Sequence, residues 1–279
     1  MKLSRLKNII YFLHWGSFDI CLGVISLMLP LYFQIKVKPI LVWFFILPST
    51  VWLIYFFDHL LDSIKNKTII SERHVFIQKH QSIFKIIAAI IIVVNAVLVF
   101  KYFSFFHLTK SIWILLVCII YFLLNYFNIK WFIKEFFAAI IYAGGICFYP
   151  YVVNENNFIS QFFIIAFCMQ LFVLALINLL QISIRETNTD KDLQVKNISN
   201  IIGQKPSNLL LISLYFLAGF MLYKSGFPTT ITFGFIGCFA IHLIHFNKIT
   251  NQKYRLITEF SFMLIGVIYL LGKINLSFL

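Results

Sequence analysis

Residues 52–62 read Trp52-Leu53-Ile54-Tyr55-Phe56-Phe57-Asp58-His59-Leu60-Leu61-Asp62, an apolar run closed by two carboxylates four positions apart. The chain repeats that arrangement once. Residues 178–192 read Asn178-Leu179-Leu180-Gln181-Ile182-Ser183-Ile184-Arg185-Glu186-Thr187-Asn188-Thr189-Asp190-Lys191-Asp192, and Glu186 and Asp190 again end an apolar segment with acids four apart. The 279 residues contain only ten Asp and Glu, so two matched acidic pairs need an explanation. On a helix, i and i+4 positions are stacked one turn apart on one face.

Upstream of Asp58 the apolar run reaches back to about residue 40, within the roughly 17 to 25 residues that a helix needs to cross hydrocarbon. Eight further runs qualify, giving nine: 16–33, 40–61, 82–103, 107–127, 131–152, 158–182, 207–223, 228–246 and 256–274. Composition agrees with this reading. The chain is 61% hydrophobic and 12% charged, with a mean hydropathy of +0.91, too apolar for a soluble fold of this length. The expectation is an all-α integral membrane protein with nine transmembrane helices. Connections are short and no Ser, Gly or Pro linker interrupts them, so residues 1–279 read as a single domain. Pro39, Pro206 and Pro228 suit first-turn positions and Pro150 a helix exit, while Pro30 and Pro48 fall where they would kink a helix.

The basic residues set an orientation. With the N-terminus cytoplasmic, 17 of the 23 Lys and Arg fall on the inner side, among them Arg73, Lys134, Arg185, Lys253 and Arg255. The positive-inside rule then gives a cytoplasmic N-terminus, an outside C-terminus and an odd number of spans. The net charge of +13 is mainly topology, and its spread over several short loops argues against a nucleic-acid partner. No small-residue cleavage site follows the first apolar run. A multi-pass protein of a cell (inner) membrane is expected.

Cys21, Cys118, Cys147, Cys168 and Cys238 lie inside apolar runs without paired spacing and read as packing residues. The 34 Phe read as lipid-facing and interhelical filler, with a few available to line a cavity and stabilise a cation. Asp19, isolated within the first run, is expected to face the bundle. It could orient an acceptor molecule or take its proton, and a structural hydrogen bond is the favoured reading. His59 and His74 flank the first acidic pair and read as interfacial and solvated. His242 and His245 are three apart, but no third ligand is near in sequence.

Taken singly, either acidic pair offsets loop lysines or caps a helix end. Together they end runs two and six, which point the same way, so both reach the cytoplasmic side. Such carboxylates can bind Mg²⁺, which in turn neutralises a diphosphate, and cations such as Lys134 and Arg185 take the remaining charge.

Two acid motifs after runs two and six in a nine-helix frame resemble the UbiA superfamily of intramembrane prenyltransferases over nearly the whole chain. The first family motif, NDxxDxxxD, is matched by Asp58 and Asp62, with Ile54 and Tyr55 where Asn and Asp are expected. The second, DxxDxxxD, is matched by Glu186 and Asp190, with Ser183 in place of the first acid. Ile184-Arg185-Glu186 resembles the family's Ile-Arg-Asp, and Lys134 stands where the family often has a basic residue. The Arg-Pro that usually follows the first motif is absent from Ser71-Glu72-Arg73-His74-Val75-Phe76.

The resemblance implies a UbiA-like helical bundle and transfer of a polyprenyl group from an allylic diphosphate to an aromatic or other lipophilic acceptor within the bilayer. Asp58, Asp62, Glu186 and Asp190 would bind Mg²⁺ and serve catalysis. Arg73, Lys134 and Arg185 would contact the diphosphate. By their position on the helix before the second motif, Asn178 and Gln181 could extend the polar pocket. Loops 63–81 and 183–206 would close over the site. Asp192 is either a further ligand or a solvated charge. Two alternatives belong to other classes: a UbiA-like lipid-binding protein without catalysis, and a transporter using its intramembrane acids.

Overall fold

A computed structural model describes residues 10–35, 41–65, 72–127, 133–192, 197–246 and 251–277. Among these there is no strand. After a helical stretch at 10–15, the helices are α1 (Phe18–Ile35), α2 (Trp43–Lys65), α3 (Glu72–Lys79), α4 (Gln81–Tyr102), α5 (Phe105–Tyr126), α6 (Ile133–Val153), α7 (Phe158–Asp192), α8 (Ile198–Ile202), α9 (Gln204–Lys224), α10 (Thr229–His245), α11 (Asn251–Ser261) and α12 (Met263–Ser277). Each of the first eight apolar runs falls on one helix, and the ninth is covered by two. Among the described residues, eight helical segments are long and apolar enough to cross a membrane, and α10, at 17 residues, is a shorter apolar helix.

The helix ends differ from expectation where the hydrophobic pattern stops. α2 continues to Lys65, and the expected loop after it contains α3. α7 runs ten residues past the end expected at 182, so the second acidic pair lies on helix rather than loop. Run nine is two helices, α11 and α12, meeting at Phe262. Pro150 lies within α6, three residues before its end, instead of at an exit. Pro30 and Pro48 lie inside α1 and α2 as expected, Pro206 sits in the first turn of α9 and Pro228 is the N-cap of α10. Pro39 lies outside the described residues.

The chain packs as two compact units. The first comprises residues up to Ile25 together with Pro39–Leu108, and the second Ser26–Lys38 with Thr109–Leu279. In the first unit α2 packs against α3 and α4 around Trp52, Phe56, Ile77, Phe84 and Ala88. The Trp52 and Phe56 rings stack with centroids 5.4 Å apart, and Trp52 Nε1 donates to the Gly16 carbonyl at 2.9 Å. The α4 sequence follows from its two surroundings. Ile86, Ile90, Val93, Val97 and Phe100 recur at helical spacing and are exposed, a lipid-facing stripe, whereas Phe84, Ala88 and Asn95 are buried. Asn95 is bound across to α2: Ser49 Oγ donates to its Oδ1 at 3.0 Å, and its Nδ2 donates to Thr50 Oγ1 at 3.3 Å.

In the second unit α7 is the central helix, packed by α6, α8, α9 and α11, while α10 packs against α11 and α12. Phe167, Phe227 and Phe235 form an aromatic core in which the Phe167 and Phe235 rings meet edge-on at 5.6 Å. Close backbone approach depends on small residues. A Cβ on Gly234 of α10 would lie 2.7 Å from Ile265 Cα of α12. Gly203, at φ 88°, joins α8 to α9 in a left-handed conformation that a side chain disfavours.

Candidate functional site

In the first unit, Asp58 and Asp62 occupy consecutive turns of α2. Asp58 is half-buried, and the side chains of Asp62 and Arg73 lie outside the described residues. His59 is buried rather than solvated. Trp52, Phe56 and His59 recur at i, i+4 and i+7, so the imidazole shares the core face of α2, with its ring 6.4 Å from that of Tyr55. Asp19 is fully buried, and its Oδ2 lies 2.7 Å from His14 Nδ1. The pair closes over the turn at Gly16 and Ser17, where Ser17 has φ 60° and its amide donates to the His14 carbonyl at 3.0 Å. His74 lies outside the described side chains.

In the second unit, Glu186 and Asp190 lie on the last turns of α7. The side chains of Asp190 and Asp192 lie outside the described residues. Glu186 is ion-paired with Arg255 of α11. Arg185, its neighbour, lies with its guanidinium 4.5 Å from the centre of the Tyr254 ring and donates to the His245 and Phe246 carbonyls at the end of α10. Those carbonyls belong to a helix C-terminus, where backbone oxygens lack intrahelical partners. Arg185 therefore has a clear structural duty as a helix cap.

The position that would carry the second motif's first acid is occupied by a different kind of contact. Ser183 Oγ accepts from the Ser199 amide at 3.1 Å, and Thr187 Oγ1 donates to Ser199 Oγ at 2.8 Å. Asn197 caps α8 by accepting from the Asn200 amide at 2.8 Å. Glu135 Oε1 accepts from the Ile198 amide at 3.1 Å. Ser183, Thr187 and Glu135 thus anchor α8 onto α7 and α6. Lys134 sits beside Glu135 on the first turn of α6.

One turn deeper, Gln181 is fully buried and joins four helices. Its Oε1 meets Tyr254 Oη and His242 Nδ1, the latter at 2.9 Å, and its Nε2 lies 3.0 Å from Tyr215 Oη. His242 Nε2 lies 3.4 Å from Ser261 Oγ. His242 is thereby committed to hydrogen bonding. Asn178 is half-buried, and its Oδ1 is buried without a hydrogen-bond partner among the described residues. An acceptor left in that condition costs roughly 1–3 kcal/mol unless a water or ligand donor reaches it.

Carboxylates are the hard oxygen donors that Mg²⁺ takes, so the acidic pairs fit that ion chemically. A cation at Glu186 would compete with the Arg255 guanidinium. Comparison of the chain with protein-family models, with curated proteins and with solved structures finds no match.

Reading the sequence alone missed Arg255, Glu135, His14 and the partners of Gln181. Arg255 was counted with the inner-side basic residues, and nothing local to it signals Glu186, 69 positions away. His14 and Asp19 are five apart and flank Gly16-Ser17, a spacing that could have suggested a turn-closing pair.

Proposed function

We propose that the chain is a divergent UbiA-type prenyltransferase that moves a polyprenyl group from an allylic diphosphate to an aromatic or other lipophilic acceptor. The observation that carries this reading is the setting of the acids: Asp58 with Asp62, and Glu186 with Asp190, occupy consecutive turns at the ends of long apolar helices. That arrangement gives each pair a common helical face at the edge of an apolar layer. A ninth span is supported by α10, whose 17 residues rise about 26 Å. That is within a few Å of the roughly 30 Å hydrocarbon core, a mismatch that bilayers absorb at small cost. The orientation has the N-terminus cytoplasmic and the C-terminus outside, in a cell (inner) membrane.

In this reading Asp58, Asp62, Glu186 and Asp190 would hold Mg²⁺, which would supply the charge to neutralise a departing diphosphate. Arg73 and Lys134 add cationic contacts to that diphosphate. Asn178 offers a buried oxygen for the acceptor's hydroxyl proton. The apolar helices would keep water away from the allylic cation while the acceptor attacks it, and the proton the acceptor loses would pass to the departed diphosphate.

A second reading, a UbiA-like lipid-binding protein without catalysis, is favoured by the duties of the second motif. Ser183, Arg185 and Glu186 all make interhelical or capping bonds. Binding of geranyl diphosphate to purified protein, with and without Mg²⁺, separates the two readings. Metal-dependent binding that is lost in Asp58→Ala/Glu186→Ala is expected, and Asp62→Ala should abolish turnover without preventing membrane insertion. Full turnover in Asp62→Ala would remove the metal-site reading, and absence of binding across several prenyl lengths would remove the enzyme.

A further inference from the structure

We propose that Arg255, rather than Arg185, is the guanidinium that receives the phosphoryl group of a diphosphate ester, and that it does so by releasing Glu186. This assignment rests on the prenyltransferase reading. Arg185 and Arg255 both lie at the acidic end of α7, and each is engaged in a different way.

Arg185 is tied down. Its guanidinium covers the Tyr254 ring and caps the α10 carbonyls of His245 and Phe246. Moving it toward a ligand would orphan those carbonyls and uncover the ring. Arg255 is held by Glu186 in a pair whose side chains are 31% and 21% exposed. Exchange of one anion for another keeps the Arg255 charge paired throughout, which avoids the cost of leaving a partly buried guanidinium alone. A phosphoryl group carries more charge than a carboxylate and presents oxygens that suit the planar guanidinium fork, so Arg255 gains by the exchange.

The exchange has a consequence for Glu186. Once Arg255 turns to the phosphoryl group, the Glu186 carboxylate faces an anion and favours a divalent cation as its replacement partner. Diphosphate and cation therefore strengthen each other's binding, and the coupling is reciprocal. Without ligand, the same pair keeps Glu186 neutralised and links α7 to α11. The ion pair is thus a latch that a diphosphate and a cation open together.

The test uses full-length protein in nanodiscs of zwitterionic lipid, titrated calorimetrically with inorganic pyrophosphate and geranyl diphosphate, with and without Mg²⁺. Arg255→Gln should weaken both ligands by about tenfold and lose the Mg²⁺ enhancement, whereas Arg185→Gln should change affinity by less than about twofold while lowering the melting temperature. Arg255→Lys, which keeps the charge but not the fork, should fall between wild type and Arg255→Gln and guards against a folding artefact. Unchanged pyrophosphate and geranyl diphosphate binding in Arg255→Gln overturns the assignment. So does a loss confined to phosphatidic acid added to the nanodiscs, which would mark a lipid-headgroup site. If wild-type protein binds no diphosphate at all, the prenyltransferase reading falls first and this assignment with it.

Discussion

Gly266 of α12 lies so close to Ser26 of α1 that a side chain at Gly266 would run into the Ser26 carbonyl and hydroxyl. The Ser26 hydroxyl completes the contact by donating to the Met263 carbonyl at 2.7 Å. Within a bilayer, helices gain nothing from hiding apolar surface from lipid tails. Close packing of small residues and interhelical hydrogen bonds hold them together instead.

Replacing Gly266 with Ala should therefore destabilise the protein by about 1–3 kcal/mol, the usual penalty for overpacking. Gly219 of α9, where a Cβ meets open space, is the matched control. Unfolding in detergent should lower the midpoint for Gly266→Ala and leave that of Gly219→Ala unchanged or higher. Equal midpoints for the two variants would contradict the close approach.

Gln181 should be worth more than any one of its contacts. Gln181→Leu removes a partner from His242, Tyr254 and Tyr215 together and should cost about 2 kcal/mol, within the range for orphaned polar groups. A double-mutant cycle with His242→Leu should give a coupling energy of about 1 kcal/mol. Additive losses would mean that the two side chains do not interact.

Ser183 should control α8. Its hydroxyl accepts from the Ser199 amide, so Ser183→Ala should speed exchange of that amide by about tenfold, equivalent to roughly 1.4 kcal/mol of local stability. Hydrogen exchange read by mass spectrometry over residues 198–202 checks this. No change there would indicate that Asn197 and Glu135 suffice to hold the helix.

Orientation yields to chemical labelling. Single cysteines at Lys253 and Lys224, in a chain whose five native cysteines are replaced by Ala, should react from opposite sides of sealed inverted vesicles. Lys253→Cys should be modified by an impermeant maleimide from the cytoplasmic face, and Lys224→Cys only after lysis. The reverse pattern would invert the topology assigned from Lys and Arg.

The apolar helices were legible in the sequence because hydrocarbon requires long, nearly uncharged runs, and each of the first eight runs falls on one helix. Their ends were less legible. Beyond Ile184 the apolar pattern stops, yet α7 continues to Asp192, with Thr187 held against Ser199 of α8. The acidic pairs were visible as residues, but their partners were not. Glu186 meets Arg255 and Gln181 meets His242 through contacts 69 and 61 positions apart, which no local pattern encodes. His59 illustrates the intermediate case. Its spacing from Trp52 and Phe56 already put it on the core face, but its place beside Asp58 drew attention to charge instead of periodicity.

The bond between Asn95 and the Ser49–Thr50 pair bears on how the chain enters the membrane. α4 is the most hydrophobic of the candidate spans, and a lone amide in its middle would oppose release into lipid. Its two hydroxyl partners precede it in the sequence, so α2 can already be in the bilayer when α4 emerges from the ribosome. The amide is satisfied beside α2, so the order of synthesis places its partners in the chain before the group that needs them.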